Sequence, residues 1–350
     1  MQGRSRLGTK AKRRGMSNSL IKAVEQLISP ARRILLIAHV WPDGDAIGSL
    51  LAMGSLLRDQ DKEVTLACED PAPESVAWLP GSSEVAGQAS GSIDLVISLD
   101  CSDQDRMGNI YEDWLTSLPL LNIDHHITNT QFGTVNWVDP SCVATAQMVL
   151  YLAQALGWQV TEPVAVCLLA GIVTDTRSFR TSNVDAATLR AALQLVEAGA
   201  SLSQVARQSL DQQPLAQVRL FADAVSGLHL EDGILWTQMT RAMRQRWAVP
   251  DNGTSGLSNS LAGVREAQVV VVFTERDNGT VDVGFRAAPG YDVSEVAASL
   301  GGGGHPLAAG CTLSGDLDQV QDQVLERVRR SVAEQRARAL TKARVSESDA

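Results

Sequence analysis

The chain has 350 residues, of which 44% are hydrophobic and 20% are charged, and its formal net charge is −10. This length predicts about two domains of roughly 150 residues each, and the apolar fraction excludes a chain that is disordered throughout. No run approaches the ~18 consecutive apolar residues of a membrane span, and the five cysteines lie far apart without a CxxC pair. We therefore expect a cytoplasmic protein with buried thiols, and no membrane partner, disulfide framework or zinc cage.

Positive charge is concentrated at the start of the chain, where residues 1–15 contain six basic and no acidic residues. We interpret residues 1–16 as a disordered basic tail without a functional role, and residues 341–350 as a second, polar tail. The acidic remainder excludes extended binding to duplex DNA, because such binding requires the neutralisation of many phosphates.

Strand-like and helical patterns alternate in the first half of the chain. Short apolar runs predict strands at 33–38, 64–67, 93–99 and 120–123, and longer periodic stretches predict helices at 45–58, 145–156 and 163–174. This alternation predicts an α/β domain over residues 17–185 with a parallel sheet. In such sheets, ligands bind beyond the carboxyl ends of the strands.

The pattern changes after residue 185. Residues 186–226 are rich in Ala, Leu and Gln with helical spacing, which predicts a helical linker. A smaller α+β domain is predicted over 227–340, with antiparallel strands at 234–239, 264–274 and 281–286, a hairpin turn at Asn278 and Gly279, and helices at 293–300 and 316–339.

Ligand-type side chains follow the first predicted strand. His39 ends it, and Asp43 and Asp45 follow on a tight turn shaped by Pro42 and Gly44. This spacing brings an imidazole and two carboxylates within reach of one metal ion. The alternative is that the two aspartates merely shape the turn.

Further acids and imidazoles follow the next strands. Asp100 directly follows an apolar run, Asp124, His125 and His126 are consecutive, and Asp175 ends a largely apolar helix. Alone, Asp100 could be a helix cap. Adjacent residues cannot all face one ion, so we expect one histidine to bind metal, Asp124 to orient it, and the other histidine to face the substrate.

Together these positions supply four carboxylates and two imidazoles, namely His39, Asp43, Asp45, Asp100, His125 and Asp175. Four negative charges balance two divalent cations, which can activate a water and stabilise phosphoryl oxygens. A mixed oxygen and imidazole shell favours Mn²⁺ over Mg²⁺. The sequence therefore predicts two manganese ions per chain.

The set and its order resemble the DHH phosphoesterases, a family named for the run found here at residues 124–126. The resemblance covers nearly all of residues 16–339. It implies a catalytic domain over 17–185 in which the six residues are the dimanganese ligands, with Asp45, Asp100, His125 and Asp175 at the more interior ion. It also implies that His126 helps to bind or protonate the reacting phosphate.

A glycine-rich run at residues 301–310 resembles the GGGHxxAAG signature of the DHH-associated domain, which binds nucleic acid. Glycines let backbone N–H groups approach a phosphate, and His305 adds a donor that can carry charge. The alternative is a flexible linker. From this resemblance we expect substrate contacts from Gly302, Gly303, Gly304 and His305.

Two arginines are further candidates for substrate binding. Arg286 matches an arginine that contacts the terminal nucleotide in relatives, and its alternative is a solvated charge. Arg177 stands where many relatives have glycine, so it could alter the pocket or contact phosphate. Ser141 and Thr145 could bind phosphate at a helix N-terminus or simply cap that helix. The tryptophans are scattered and are expected to serve packing.

Length and domain pair are similar to family members that hydrolyse both very short RNAs and 3′-phosphoadenosine-5′-phosphate (pAp). The resemblance implies a phosphoesterase that releases mononucleotides from short oligonucleotides, with substrate lying in a cleft between the two domains. A phosphodiesterase of cyclic or linear dinucleotides and a non-catalytic nucleotide sensor are the alternatives. A homodimer is compatible with the sequence.

Overall fold

The computed structural model describes residues 17–89, 91–251 and 256–348. The chain divides into two compact units between Gln212 and Gln213. This division falls inside the segment 186–226 that the sequence predicts as a linker. The predicted basic tail, residues 1–16, lies outside the described residues.

The first unit contains a parallel sheet with strand order β2-β1-β3-β4-β5. Its strands are β1 (Arg33–Ala38), β2 (Glu63–Ala67), β3 (Leu95–Leu99), β4 (Leu120–Asp124) and β5 (Val135–Val138). Its helices are α1 (Asn18–Ile28), α2 (Gly44–Arg58), α3 (Thr145–Leu156), α4 (Glu162–Asp175), α5 (Ala186–Glu197) and α6 (Leu202–Ala206). The predicted α/β class and parallel sheet are confirmed.

Strand β1 reads as an unbroken apolar run because both faces of the sheet are covered. Ile34 and Leu36 pack into the larger core with the helices, whereas Leu35 and Ile37 pack into a second core on the other face. Successive side chains of a strand point to opposite faces, so a strand buried on both sides has no polar alternation. All five cysteines are buried and free, as predicted.

Helices α2 and α4 approach each other closely through glycines. A Cβ at Gly48 would lie 2.5 Å from the Cys167 carbonyl oxygen, and one at Gly171 would lie 2.7 Å from Asp45 Oδ1. Only residues without side chains allow two helix backbones this close. The crossing places Asp45, at the start of α2, beside the helix that ends at Asp175.

The second unit contains a mixed sheet with strand order β10-β11-β9-β8-β7-β6. Its strands are β6 (His229–Glu231), β7 (Ile234–Met239), β8 (Val269–Glu275), β9 (Thr280–Ala287), β10 (Gly303–His305) and β11 (Ala308–Ser314). Its helices are α7 (Leu215–Ser226), α8 (Arg241–Trp247), α9 (Leu257–Leu261), α10 (Ser294–Ser299) and α11 (Leu317–Ser348). The predicted α+β character of this unit is confirmed.

Three features of this unit differ from the sequence prediction. Strands β7 and β8 pair in parallel, not antiparallel, because α8 and α9 lie between them and provide the long crossover that parallel pairing requires. The glycine-rich run is partly a strand, β10, paired with β11. Helix α11 runs to Ser348, so most of the predicted tail 341–350 is helical. Within the described ranges, no helix has the length and apolar composition needed to cross a membrane.

Substituting Gly48→Ala should lower the free energy of unfolding by about 1–3 kcal/mol, the usual cost of overpacking a core. The added methyl meets a backbone carbonyl that cannot move without shifting α4. Urea denaturation measures the change. Gly87→Ala is the matched control, because its Cβ would lie 3.9 Å from the nearest atom. Equal stability of the two variants would contradict the close crossing.

Candidate functional site

The polar residues predicted to follow the strands lie at one edge of the parallel sheet. His39 follows β1, Asp100 follows β3, and Asp124 ends β4 just before His125 and His126. Strands β1, β3 and β4 are neighbours and run in the same direction, so their carboxyl ends meet. The site therefore lies where an open α/β sheet generally binds its ligand.

Asp100 lies between two imidazoles. Its Oδ2 is 3.5 Å from His39 Nε2 and its Oδ1 is 3.6 Å from His125 Nε2. The Thr145 hydroxyl donates to the same Oδ1 at 2.9 Å. Asp100 has a left-handed backbone with φ of 62°, which few side-chain-bearing residues adopt. Backbone strain at a residue whose carboxylate faces two imidazoles is typical of a functional site.

Asp45 is completely buried and caps helix α3 from another helix. Its carboxylate accepts the backbone N–H groups of Thr145 at 2.6 Å and Ala146 at 2.8 Å. The residue at the N-cap position, Ala144, has no side chain that could accept them. The helix dipole thus stabilises one buried negative charge of the site.

This arrangement bears on the two predicted interpretations of the α3 N-terminus. The Thr145 hydroxyl donates to Asp100, and the Ser141 hydroxyl donates to Asp139 at 2.6 Å. Both hydroxyls are bonded within the protein, and the first amides of α3 are bonded to Asp45. The structure therefore favours a structural role for Ser141 and Thr145 over phosphate binding.

All six predicted metal ligands lie in one cluster. Among the described residues, three overlapping groups have ligand atoms within 4.8 Å of one another, namely His39, Asp43 and Asp100; Asp45, His125 and Asp175; and Asp100, His125 and His126. The first two groups contain only predicted ligands, and Asp100 belongs to the first and third. Asp100 lies between the first two groups, because its two oxygens face His39 and His125.

The distances inside the cluster fit ligands that share an ion. His125 Nε2 lies 3.3 Å from Asp175 Oδ2 and 3.9 Å from Asp45 Oδ2. These separations are too long for good hydrogen bonds. Two ligand atoms that each lie about 2.0–2.2 Å from one divalent cation are themselves about 3–4 Å apart. The residues present thus fit divalent metal ions.

The ionisation of the cluster also favours a cation. Burial and neighbouring carboxylates raise the pKa of both Asp45 and Asp175. Burial also acts to raise the pKa of Asp100, but the nearby imidazoles lower it overall. Burial lowers the pKa of His125, which keeps its imidazole in the neutral form that binds metal. Divalent cations would stabilise all these carboxylates in their charged forms.

His126 has a different partner from His125. Its Nδ1–H donates to Asp124 Oδ1 at 2.7 Å, and the Asn129 amide donates to Asp124 Oδ2 at 2.6 Å. Burial lowers the pKa of His126, but this hydrogen bond and nearby carboxylates raise it overall to about 9. The prediction that Asp124 orients the metal-binding histidine is wrong. Residues two apart on extended backbone point to the same side, so Asp124 meets His126.

Two site residues were missed from the sequence. Asn129 fixes the Asp124 carboxylate, and Arg106 Nη2 lies 2.9 Å from His39 Nδ1. Arg106 belongs to a short 3₁₀ segment without apolar periodicity, so no sequence pattern places it. Asn129 lies three residues after the DHH run, and this short spacing is the sequence feature that indicates its proximity to the site.

In the second unit, Arg286 and His305 lie in one row of the sheet. Ala308 on β11 is directly opposite Arg286 on β9 and directly opposite His305 on β10. Residues directly opposite each other point to the same face of a sheet. Arg286 Nε donates to Asn259 Oδ1 at 2.7 Å, so its guanidinium is oriented by α9.

Gly302, Gly303 and Gly304, which the sequence predicts to contact substrate, differ in the space around them. A Cβ at Gly302 would overlap the Gly310 carbonyl oxygen, and Gly304 has φ of 139° with the Ala308 carbonyl 2.6 Å from its Cβ position. The β10–β11 hairpin therefore requires both. A Cβ at Gly303 would meet no atom within 4 Å. Packing therefore does not require glycine at position 303. The space beside Gly303 is open to a ligand.

Arg177 lies two residues after Asp175 and begins a left-handed turn. The φ angles of Arg177, Ser178 and Phe179 are 49°, 60° and 62°. Glycine would adopt this backbone without cost, whereas Arg177 has a side chain that disfavours it. Burial lowers the pKa of Arg177 from its ordinary value.

The comparisons with known proteins cover most of the chain. Residues 33–172 match the DHH family, N-terminal domain, and residues 242–334 match the DHHA1 domain. The bifunctional oligoribonuclease and PAP phosphatase NrnA of Thermus thermophilus is 35% identical over 304 residues, which are 85% of this chain and 89% of that protein.

Two solved structures share the fold. An exopolyphosphatase-related protein from Bacteroides fragilis superposes with a TM-score of 0.82 at 20% identity, over 93% of this chain and 98% of that one. RecJ in complex with Mn²⁺ from Thermus thermophilus superposes with a TM-score of 0.55 at 12% identity, over 90% of this chain and 54% of RecJ. With both domain models matched in order, the chain belongs to the DHH family of phosphoesterases.

Proposed function

We propose that this chain is a manganese-dependent phosphoesterase that hydrolyses short oligonucleotides to mononucleotides and pAp to AMP. The observation that carries the proposal is the position of the Asp100 carboxylate, which lies 3.5 Å from His39 Nε2 in one predicted ligand group and 3.6 Å from His125 Nε2 in the other. The same carboxylate lies 3.6 Å from His126 Nδ1. The substrate class is supported by the name of the 35% identical relative, an oligoribonuclease and PAP phosphatase.

The ligand groups define where two ions would bind. His39, Asp43 and Asp100 would hold one ion, and Asp45, His125 and Asp175 would hold the other with the second oxygen of Asp100. Two divalent cations about 3.5–4 Å apart activate water and neutralise charge in an in-line displacement at phosphorus. The mixed oxygen and imidazole shell favours Mn²⁺, the ion in the RecJ structure.

His126 would act on the leaving group. Its Nδ1–H is bonded to Asp124, so the proton on Nε2 is the one available to the substrate. The hydrogen bond to Asp124 raises the pKa of His126 and so favours the protonated imidazole. We expect Nε2–H to hydrogen-bond a phosphoryl oxygen or to protonate the leaving oxygen, while Asp124 stabilises the imidazolium.

The second unit would recognise the end of the substrate. Arg286 and His305 share a row of the sheet, and Gly303 leaves its backbone open to a phosphate. A few local contacts of this kind suffice for a very short oligonucleotide. This explains how a chain of net charge −10 could bind nucleic acid, although it lacks the charge for long tracts of phosphate.

With Mn²⁺ present, a dinucleotide and a five-nucleotide RNA should yield mononucleotides, and pAp should yield AMP and inorganic phosphate. Chromatography of the products, with pyrophosphate tested in parallel, measures this. His126→Ala is the control against a contaminating nuclease and should lose the activity. Phosphate from pyrophosphate alone, or no turnover of any substrate with metal bound, would overturn the proposal.

Gly303→Ala should raise the KM for the dinucleotide by about tenfold or more, the effect of losing a hydrogen bond to a charged group. Its methyl meets no protein atom, so thermal stability should stay unchanged. Gly263→Ala, equally open, is the control and should change neither quantity. An unchanged KM for Gly303→Ala would show that no phosphate approaches this backbone.

A further inference from the structure

Trp41 is a large apolar side chain left in solvent beside the metal ligands. It is 73% exposed, whereas Trp137 is in the core and both Trp78 and Trp158 pack against it. The scattered positions of the tryptophans in the sequence predict a packing role, and Trp41 is an exception. Exposing an indole forgoes the large stabilisation that its burial would provide.

The backbone of Trp41 is held in an unfavourable conformation. Its φ is 55°, in the left-handed region that bulky residues rarely adopt. Two bonds hold it there, since Val40 N–H donates to the Arg106 carbonyl oxygen at 2.8 Å and Trp41 N–H donates to Asp70 Oδ2 at 2.7 Å. A strained residue that its surroundings fix in place is a candidate for function.

The position of Trp41 in its loop brings it close to two of the predicted metal ligands. It lies two residues after His39 and two before Asp43, and the His39 Nε2 and Asp43 Oδ1 atoms are 3.9 Å apart. Consecutive Cα atoms are about 3.8 Å apart, so the Trp41 Cα lies within about 8 Å of the Cα atoms of both ligands. A nucleobase attached to a phosphate at this site is within reach of the indole.

We infer that the Trp41 indole is a stacking platform for the nucleobase next to the phosphate that reacts. This inference rests on the proposed function and names the part of the substrate that the catalytic unit recognises. Every base has a π-face, so stacking would select nucleotides without selecting their sequence. Asp70 is then a positioning residue, which acts through the Trp41 backbone.

Kinetics with three matched substrates test the inference. One is a diadenosine dinucleotide, and the others lack either the first or the second base. Trp41→Ala should raise the KM for the full dinucleotide about 5- to 150-fold, the range for loss of one base stacked on an aromatic ring. Trp41→Phe should retain most of the affinity. For one of the abasic substrates, wild type and Trp41→Ala should have the same KM.

A matched control and an independent signal accompany these kinetics. Trp114→Ala removes another exposed tryptophan, 42% exposed and outside the ligand loop, and should leave every KM unchanged. Stacking on Trp41 should quench its fluorescence when a non-hydrolysable phosphorothioate dinucleotide or AMP is titrated. Trp41→Phe should abolish that part of the quenching, and Trp114→Phe should retain it.

The outcomes separate this inference from the proposed function. If wild type hydrolyses the dinucleotide and Trp41→Ala has an unchanged KM, the stacking platform is overturned and the hydrolase stands. If folded, metal-bound wild type hydrolyses no oligonucleotide, the proposed function fails. The AMP titration then decides the platform alone, because quenching that is equal in wild type and Trp41→Phe would overturn it.

Discussion

The concentration of buried negative charge at the carboxyl edge of the parallel sheet is the constraint on which the rest of the structure depends. Asp45 and Asp100 have almost no exposure to solvent, and isolated buried carboxylates are very costly. The protein offsets part of this cost with the first amides of α3 and the Thr145 hydroxyl. Divalent cations would offset the remainder, so metal binding would also stabilise the site.

The architecture around the site follows from this demand. Asp175 must come close to ligands on other elements, and the close crossing of α2 and α4 at Gly48 permits it. Asp124 and Asn129 also help to balance the charge of the site. Asn129 holds the Asp124 carboxylate, and Asp124 stabilises a protonated His126 beside the other carboxylates. One edge of one sheet thus gathers the proposed metal ligands and the proposed acid His126, with Trp41 exposed beside them.

The sequence predicts the first unit well because parallel strands place the residues that follow them at a common edge. His39, Asp100 and His125 were found in this way. The period of extended backbone also indicates the pairing of Asp124 with His126, because residues two apart point to the same side. The roles of the glycines cannot be predicted from the sequence, in which Gly302 and Gly303 are equivalent. Only tertiary contacts show that the hairpin requires glycine at 302 and that the space beside Gly303 is open.

The central proposal is that two divalent ions would share the Asp100 carboxylate. Titration calorimetry of the metal-free protein with Mn²⁺ measures the number of ions bound per chain. Elemental analysis of the metal-loaded protein checks that number. The account predicts two ions per chain in wild type and fewer than two in Asp100→Asn, which keeps the shape of the side chain and removes its charge. One ion or none in wild type, or two retained by Asp100→Asn, would contradict it.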